Sequence, residues 1–183
     1  MENFKNHIKP FGLFSKKPEK DPMKPSYIKP DGTKVIEQDS PTGKVVYEIS
    51  PDCTLICRSY DKKDRMYLDY IRRRNLEIGH TYDEYGKKIY EFNSLYDENN
   101  VLAKKTEIEF KYYDEGGISE EVTIVKPGDI KTEIHYDKTG KQTEKIEYIG
   151  SVKTWFDENN KPIKRQIDRG SGGIVTEDLN ENS

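Results

Sequence analysis

The chain has 183 residues and a formal net charge of −3, and 36% of its residues are charged while only 32% are hydrophobic. No segment approaches the run of about 20 apolar residues that a membrane helix requires. The small net charge gives no overall field that would draw the chain to nucleic acid or to an acidic membrane. The start of the chain lacks the apolar run of a secretion signal, so we expect a cytoplasmic protein.

A mean hydropathy of −0.99 would suit a disordered chain, because so few apolar groups offset the entropy of ordering. However, 11% of the residues are aromatic, with 13 tyrosines, and the apolar residues recur in a regular pattern. We therefore expect one folded domain over residues 27–168. Residues 1–26, which are rich in lysine and proline, predict a flexible basic arm. Residues 169–183 are rich in glycine and then acidic, and predict a frayed tail.

The two cysteines are four residues apart, in Cys53-Thr54-Leu55-Ile56-Cys57. If this run is extended, both side chains point to one face about 13 Å apart. A disulfide needs Cα atoms about 5.5 Å apart, so we expect two free, half-buried thiols. Neither cysteine has further ligands at metal-site spacing, and we expect no metal ion here.

A short phrase recurs along the chain and is its most informative feature. Its common form is an aromatic residue, Asp, two polar residues, and then Gly, Asn or Asp. The copies are Tyr60-Asp61-Lys62-Lys63-Asp64, Tyr82-Asp83-Glu84-Tyr85-Gly86, Tyr96-Asp97-Glu98-Asn99-Asn100, Tyr113-Asp114-Glu115-Gly116, Tyr136-Asp137-Lys138-Thr139-Gly140 and Phe156-Asp157-Glu158-Asn159-Asn160.

Each position of the phrase has a physical reason in a hairpin turn. Asp accepts hydrogen bonds from backbone groups a few residues later, and the next two positions tolerate most side chains. The last position must be left-handed, which Gly allows freely and Asn or Asp at modest cost. Related Pro-Gly turns are Lys29-Pro30-Asp31-Gly32, Ser40-Pro41-Thr42-Gly43 and Val125-Lys126-Pro127-Gly128.

Between the turns, apolar and polar residues alternate, which is typical of strands with one buried face. Four sets of alternate residues are expected to share a face within their strands: Ile108, Phe110 and Tyr112; Ile130, Thr132, Ile134 and Tyr136; Val45, Tyr47 and Ile49; and Val152, Thr154 and Phe156. Residues Met66 to Arg74 fit either a helix or a strand. We favour a strand, because the stretch follows the recurring turn.

The intervals between turns are irregular: 22 residues separate Tyr60 from Tyr82, and then 14 separate Tyr82 from Tyr96. Intervals above twenty fit two strands and a turn at the opposite end, such as Ile149-Gly150-Ser151. Shorter intervals fit one long strand, which puts successive turns at opposite ends. The sequence thus predicts an all-β fold, an irregular antiparallel meander of repeated hairpins. The sheet is expected to be open, and either to curl and cover itself or to stay single-layered.

The turns from Tyr82 to Lys87, from Tyr136 to Lys141 and from Phe156 to Lys161 resemble bacterial YD-type repeats and the MORN-like repeats of proteins assigned as antitoxins. In those families an aromatic residue, an acidic turn and a lysine recur along an antiparallel sheet. The resemblance spans roughly residues 27–168, at the turns. It implies a repeat-built recognition surface of a bacterial protein without identifying the partner.

Catalysis needs a few reactive groups that converge in a pocket, and the sequence offers no such motif. His7, His80 and His135 are far apart, and the acidic loops lack the ligand spacing of a calcium site. We therefore expect a protein that is not an enzyme and has no cofactor.

We expect instead a protein-interaction module, of antitoxin or immunity type, that binds another protein through a face of its sheet. Tyr90, Phe92 and Trp155 alternate out of step with their apolar neighbours, so they are candidate partner-binding residues on the opposite face. The alternative is a single-stranded nucleic-acid-binding protein. Its site would be the basic cluster Arg72, Arg73 and Arg74 with Tyr67 and Tyr70, whose rings could stack on bases.

Overall fold

The computed structural model of the protein describes residues 24–179. These residues form fourteen β-strands and one short 3-10 turn at Gly170–Gly172. The strands are β1 (Tyr27–Ile28), β2 (Lys34–Ser40), β3 (Gly43–Ile49), β4 (Leu55–Asp61), β5 (Met66–Arg73), β6 (Leu76–Tyr82), β7 (Lys88–Tyr96), β8 (Leu102–Tyr112), β9 (Ile118–Lys126), β10 (Ile130–Tyr136), β11 (Gln142–Ile149), β12 (Val152–Phe156), β13 (Pro162–Asp168) and β14 (Ile174–Asp178).

All fourteen strands belong to one antiparallel sheet, and their order in space is their order in the chain. Each strand pairs only with its neighbours in sequence, and the sheet does not close into a barrel. No other pair of strands in the described residues has more than a marginal contact. The predicted all-β meander is thus confirmed, and the sheet is a single open layer.

The recurring phrase forms the turns that the sequence predicted. In five copies the Asp Oδ1 atom accepts hydrogen bonds of 2.8–3.1 Å from the backbone N–H groups two and four residues later. The last residue of each phrase is left-handed, with φ between +59° and +83°. A β-bulge accompanies the aromatic residue in each copy. The five capping residues are Asp61, Asp83, Asp97, Asp137 and Asp157.

The remaining copy differs from the prediction by one residue. Tyr112, and not Tyr113, pairs across the hairpin, with Ile118. The backbone N–H of Gly116 donates to the carbonyl of Tyr113, so Tyr113 takes the position that Asp holds in the other turns. The prediction was wrong because two tyrosines are adjacent here. Alternation decides between them, since Tyr112 is the one in step with Phe110.

A further turn of the same kind includes one of the cysteines. The N–H of Cys53 donates to the carbonyl of Ser50, and Cys53 is left-handed with φ +65°. The prediction of an extended run with both thiols half-buried on one face was therefore wrong. Cys53 is exposed in the turn, whereas Cys57 is buried in β4, and both are free. The Pro-Asp pair before Cys53 sets the turn and removes it from the strand.

The irregular intervals follow from how many strands each one holds, as predicted. Turns 61–65, 83–87, 113–117, 137–141 and 157–161 all lie at one end of the strands, which we call the Asp-turn end. Turn 97–101 follows a single strand and lies at the other end, which we call the apolar end. The two-residue turn at Gly150 and Ser151 also lies there.

Strand register divides the side chains between two faces. We call them the Trp155 face and the Phe110 face. The predicted set around Ile108 and the set around Ile134 lie on the Phe110 face, but Val45, Tyr47 and Ile49 lie on the Trp155 face. The expectation of one apolar face is corrected, because alternation within a strand does not fix its face relative to the next strand.

The core of the described residues is small. Five apolar residues are buried, and all but Val35 lie on the Trp155 face; these four are Ile36, Cys57, Val122 and Ile146. In a single layer, a side chain is buried only by its neighbours on the same face. The core therefore consists of side chains that cover one another on the surface of the sheet, and it is not an enclosed interior.

The structure also tests the predictions for Met66 to Arg74 and for the two ends of the predicted domain. Met66–Arg73 is a strand, as favoured. Ile174–Asp178 pairs with β13, so the sheet extends beyond residue 168 into the predicted tail. The N–H of Ser26 already donates to Val35 of β2. Residues 1–23 of the predicted arm and residues 180–183 lie outside the described residues.

Candidate partner-binding surface

The three candidate partner-binding residues share the Trp155 face, in two adjacent rows that cross the sheet. The first row is Ile36, Tyr47, Cys57, Tyr70, Gly79, Phe92, Glu107, Ile124, Lys131, Tyr148, Lys153, Gln166 and Thr176. The second is Gln38, Val45, Ser59, Leu68, Thr81, Tyr90, Glu109, Val122, Glu133, Ile146, Trp155, Lys164 and Asp178. Half of these 26 residues are apolar or aromatic and seven are charged, so the rows form an apolar and aromatic band with charged side chains among it.

Phe92 is fixed on this face by a glycine in the neighbouring strand. Phe92 is the register partner of Gly79, and a Cβ atom placed on Gly79 would lie 2.3 Å from Cε1 of Phe92. The ring thus covers the bare backbone of β6, as aromatic residues do opposite glycine in sheets. Tyr70 and Tyr90 flank it, with ring centroids 6.3 and 6.2 Å away. Phe92 therefore has a packing role in addition to its place on the face.

Tyr90 is also held by a specific contact. Its hydroxyl donates to Oε1 of Glu107 at 2.6 Å, and the Nζ atom of Lys105 donates to the same oxygen at 2.8 Å. Burial, followed by the neighbouring carboxylate of Glu107, raises the pKa of Tyr90 above its ordinary value. The phenol is therefore neutral and acts as a donor at physiological pH.

Trp155 lies on β12, two strands from the edge strand β14 and five strands from β7, which holds the other two candidates. The Nζ atoms of Lys153 and Lys164 lie 4.3 and 5.1 Å from the centre of its ring. Lys153 also lies 5.2 Å from the ring of Tyr148, whose hydroxyl donates to Glu133. Trp155 therefore belongs to a second, lysine-rich cluster, four strands beyond Glu107 and Lys105.

On the Phe110 face, a row of ionisable side chains crosses β3 to β7. Arg58 contacts Glu48 and Asp69, at 3.5 and 3.2 Å. His80 lies between Asp69 and Glu91, with nitrogen-to-oxygen distances of 3.7 and 3.8 Å. The ionisable side chains of this row therefore contact one another.

Exposed apolar side chains concentrate at one end of the strands. Ten large hydrophobic residues of the described chain are exposed, and Tyr85 is the one among them at the Asp-turn end. The other nine are at or next to the apolar end: Tyr27, Ile28, Ile49, Leu95, Val101, Leu102, Ile130, Ile149 and Ile174. A partner could reach this rim as well as the Trp155 face, so a binding test must separate the two.

The residues of the nucleic-acid alternative do not form one surface. Alternation along β5 puts Tyr70 on the Trp155 face and Tyr67 on the other. Arg72 contacts Glu77 at 3.5 Å, and Arg73 contacts Asp52 at 3.7 Å. Arg74 is left-handed in the turn between β5 and β6. The two rings cannot stack on one strand of bases, and two of the three arginines are already paired.

A shallow groove of about 500 Å³ lies at the Asp-turn end, lined by Met66, Tyr67 and Tyr82 and by polar residues of the turns. Its carboxylates Asp61 and Asp83 already accept the backbone N–H groups of their own turns. Within residues 24–179, no three His, Cys, Asp or Glu side chains converge closely enough to hold a metal ion. No helix in this part of the chain is long and apolar enough to cross a membrane.

Comparison of the sequence with protein-family models gave no match, and a search of curated proteins gave no relative. The surface must therefore be interpreted from its own geometry.

Sequence reasoning missed Gly79, Tyr148, Lys153 and Lys164 as parts of this surface. Lys153 could have been found, because it is two residues from Trp155 and thus on the same face of a strand. Gly79 and Lys164 could not, since their places opposite Phe92 and Trp155 depend on strand register.

Proposed function

We propose that the protein is a non-enzymatic protein-interaction module that binds a partner protein through the Trp155 face. The observation that carries this proposal is the bare single layer: in the described residues no second layer covers the apolar and aromatic band of this face. An uncovered band of this kind is typical of a protein-interaction site. If the module is of antitoxin or immunity type, its partner is a toxin.

The contrast between the two faces supports the choice of the Trp155 face. Four of the five buried apolar residues of the described chain lie there, together with Tyr90, Phe92 and Trp155. Interface centres are enriched in aromatic residues. The Phe110 face instead has a row of ionisable side chains in mutual contact, from Glu48 on β3 to Glu91 on β7.

The test is affinity capture of the tagged protein from cells in which it occurs, read by quantitative mass spectrometry. The face variant is Leu68→Lys with Ile124→Lys, two half-buried positions of the band. The matched control is Ile71→Lys with Ile134→Lys, half-buried positions of the Phe110 face. A third variant, Val101→Lys with Leu102→Lys, tests the rim at the apolar end.

The proposal predicts a stoichiometric protein that is lost, by tenfold or more, with the face variant alone. Far-UV circular dichroism must show that all three variants keep the strand signal. Recovery of no stoichiometric protein, or loss of the partner with only the control or the rim variant, would contradict binding through the Trp155 face.

A further inference from the structure

Two lysines of the Trp155 face have no negatively charged partner among the described residues. Nine lysines of the described chain lie over an aromatic ring, with Nζ 4.3–6.0 Å from the ring centre. Six of the nine also form an ion pair with Asp or Glu; they are Lys44, Lys88, Lys105, Lys131, Lys138 and Lys145.

Of the three without an ion pair, Lys87 lies alone over Tyr112, whereas Lys153 and Lys164 lie over the same ring, that of Trp155. Asp178 is the register partner of Lys164 on β14, yet the two form no ion pair. Two uncompensated ammonium groups thus meet at one indole, in a protein whose net charge is −3.

We infer that this cluster, which we call the Trp155 patch (Tyr148, Lys153, Trp155 and Lys164), binds an acidic segment of a partner protein. Carboxylates of that segment pair with the ammonium groups of Lys153 and Lys164, and its apolar atoms pack against the indole. The inference rests on the proposed function and deepens it, because it names the chemistry of the partner.

The surroundings of the patch favour a peptide over a nucleic acid. In the row that contains Trp155, Glu133 lies two strands to one side and Asp178 two strands to the other. A nucleic-acid backbone has one phosphate per nucleotide and would meet these carboxylates as it left the patch. A protein segment with two or three carboxylates can pair with the lysines and avoid both.

The patch has a built-in reporter, because Trp155 is the single tryptophan of the chain. The experiment titrates the full-length protein with an oligo-glutamate decapeptide at low salt and follows tryptophan emission. Oligo-lysine and oligothymidylate of the same length are the comparison probes. Binding of oligo-glutamate should change the emission in a saturable way and weaken as salt rises, while oligo-lysine leaves the emission unchanged.

The variant Lys153→Glu with Lys164→Glu should weaken oligo-glutamate binding at least tenfold. Lys153→Gln with Lys164→Gln removes the positive charges without adding negative ones that repel the peptide, and it should weaken binding as well. It keeps the test informative if the glutamate variant misfolds. Lys62→Glu with Lys63→Glu is the matched control, because both lysines are exposed in a turn at the Asp-turn end. It should change the dissociation constant by less than twofold.

No saturable change with oligo-glutamate, or an equal loss with the control variant, would overturn the inference. Tighter binding of oligothymidylate would replace it with the nucleic-acid reading. The capture experiment separates this inference from the proposed function. A partner that is lost with Leu68→Lys and Ile124→Lys but kept with Lys153→Glu and Lys164→Glu would leave the proposed function intact and remove the acidic-segment inference.

Discussion

On the Trp155 face, the ring of Phe92 packs against the backbone of Gly79. Because β6 has no side chain at this point, the ring of Phe92 lies against the backbone and brings Tyr70 and Tyr90 to either side of it. A glycine in a strand normally weakens it, since it has no side chain to pack. Here the aromatic partner supplies that packing from the next strand.

Gly79→Ala should therefore destabilise the protein by about 1–3 kcal/mol, the usual cost of forcing extra atoms into a packed site. The new methyl group would meet Phe92 at 2.3 Å, so the ring must move. In a Phe92→Leu background the cost of the same change should fall. Urea unfolding of the parent, Gly79→Ala, Phe92→Leu and the double variant measures the cost of Gly79→Ala in both backgrounds. Gly117→Ala is the control, because a Cβ atom there meets nothing within 4 Å.

The thiols of Cys53 and Cys57 differ in their exposure to solvent, although they are only four residues apart. Burial in β4 raises the pKa of the Cys57 thiol to about 11, whereas Cys53 is exposed in a turn. At pH 8 a thiol-specific reagent such as dithionitrobenzoate should react quickly with one thiol per native chain and with two after unfolding. Cys53→Ser should abolish the fast reaction. A fast reaction that survives in this variant would show that Cys57 is accessible.

At the scale of the strand and turn, neighbouring loops of the Asp-turn end are tied to each other. Lys44 pairs with Asp64, the guanidinium of Arg65 donates to the carbonyl of Glu84, and Lys138 pairs with Glu115. Each link joins one turn to the next turn at the same end. Individually such exposed contacts contribute little. Their common effect is to hold the hairpins side by side where no second layer supports them.

The capping carboxylates predict how stability depends on pH. The N–H of Arg65 lowers the pKa of Asp61, and the hydroxyl of Thr139 lowers that of Asp137. A carboxyl whose folded pKa is lowered stabilises the fold above its unfolded pKa, which is about 4. This stability is lost as the pH falls below 4 through the folded pKa, because the unfolded chain then binds more protons.

Asp61→Asn with Asp137→Asn should therefore lower the urea midpoint at pH 7, and the difference from the parent should shrink at pH 3. Asp114→Asn is the control, because Tyr113 holds the capping position in that turn and Asp114 caps no described backbone group. Asp114→Asn should leave the urea midpoint unchanged at both pH 7 and pH 3. A difference that grows on acidification would show that these carboxylates do not act as turn caps.

The turns could be predicted from sequence because their chemistry is local. Each turn is determined by adjacent residues: an Asp, two positions that tolerate most side chains, and a left-handed residue. The turn from Asp137 to Gly140 folds as expected. The error at Tyr113 arose where two aromatic residues compete for one position. Faces and rows could not be predicted, because they depend on register between strands. Tyr90, Phe92 and Trp155 do share a face, but the lysine partner Lys164 comes from β13.

At the scale of the whole molecule, an open layer leaves both edge strands without a further neighbour in the described residues. Exposed edges invite pairing with other chains, and charged side chains discourage it. Glu37 and Asp39 lie on β2, beyond the short β1, and Glu177 and Asp178 lie on β14. Like charges at both edges oppose the joining of one sheet to the next, so the faces and the apolar end remain as the surfaces for partners.

The single open layer is the central claim, and one distance tests it most directly. Thr42 and Asn159 are exposed in turns at the same end of the strands, ten strand intervals apart. At about 4.8 Å per interval, a flat sheet would separate them by about 48 Å, and twist shortens this somewhat. Spin labels at Thr42→Cys and Asn159→Cys, with Cys53 and Cys57 replaced by alanine, should give a dipolar distance above about 35 Å. A distance of about 25 Å or less would mean that the sheet closes or folds over on itself, and would contradict the open layer on which the proposed binding face depends.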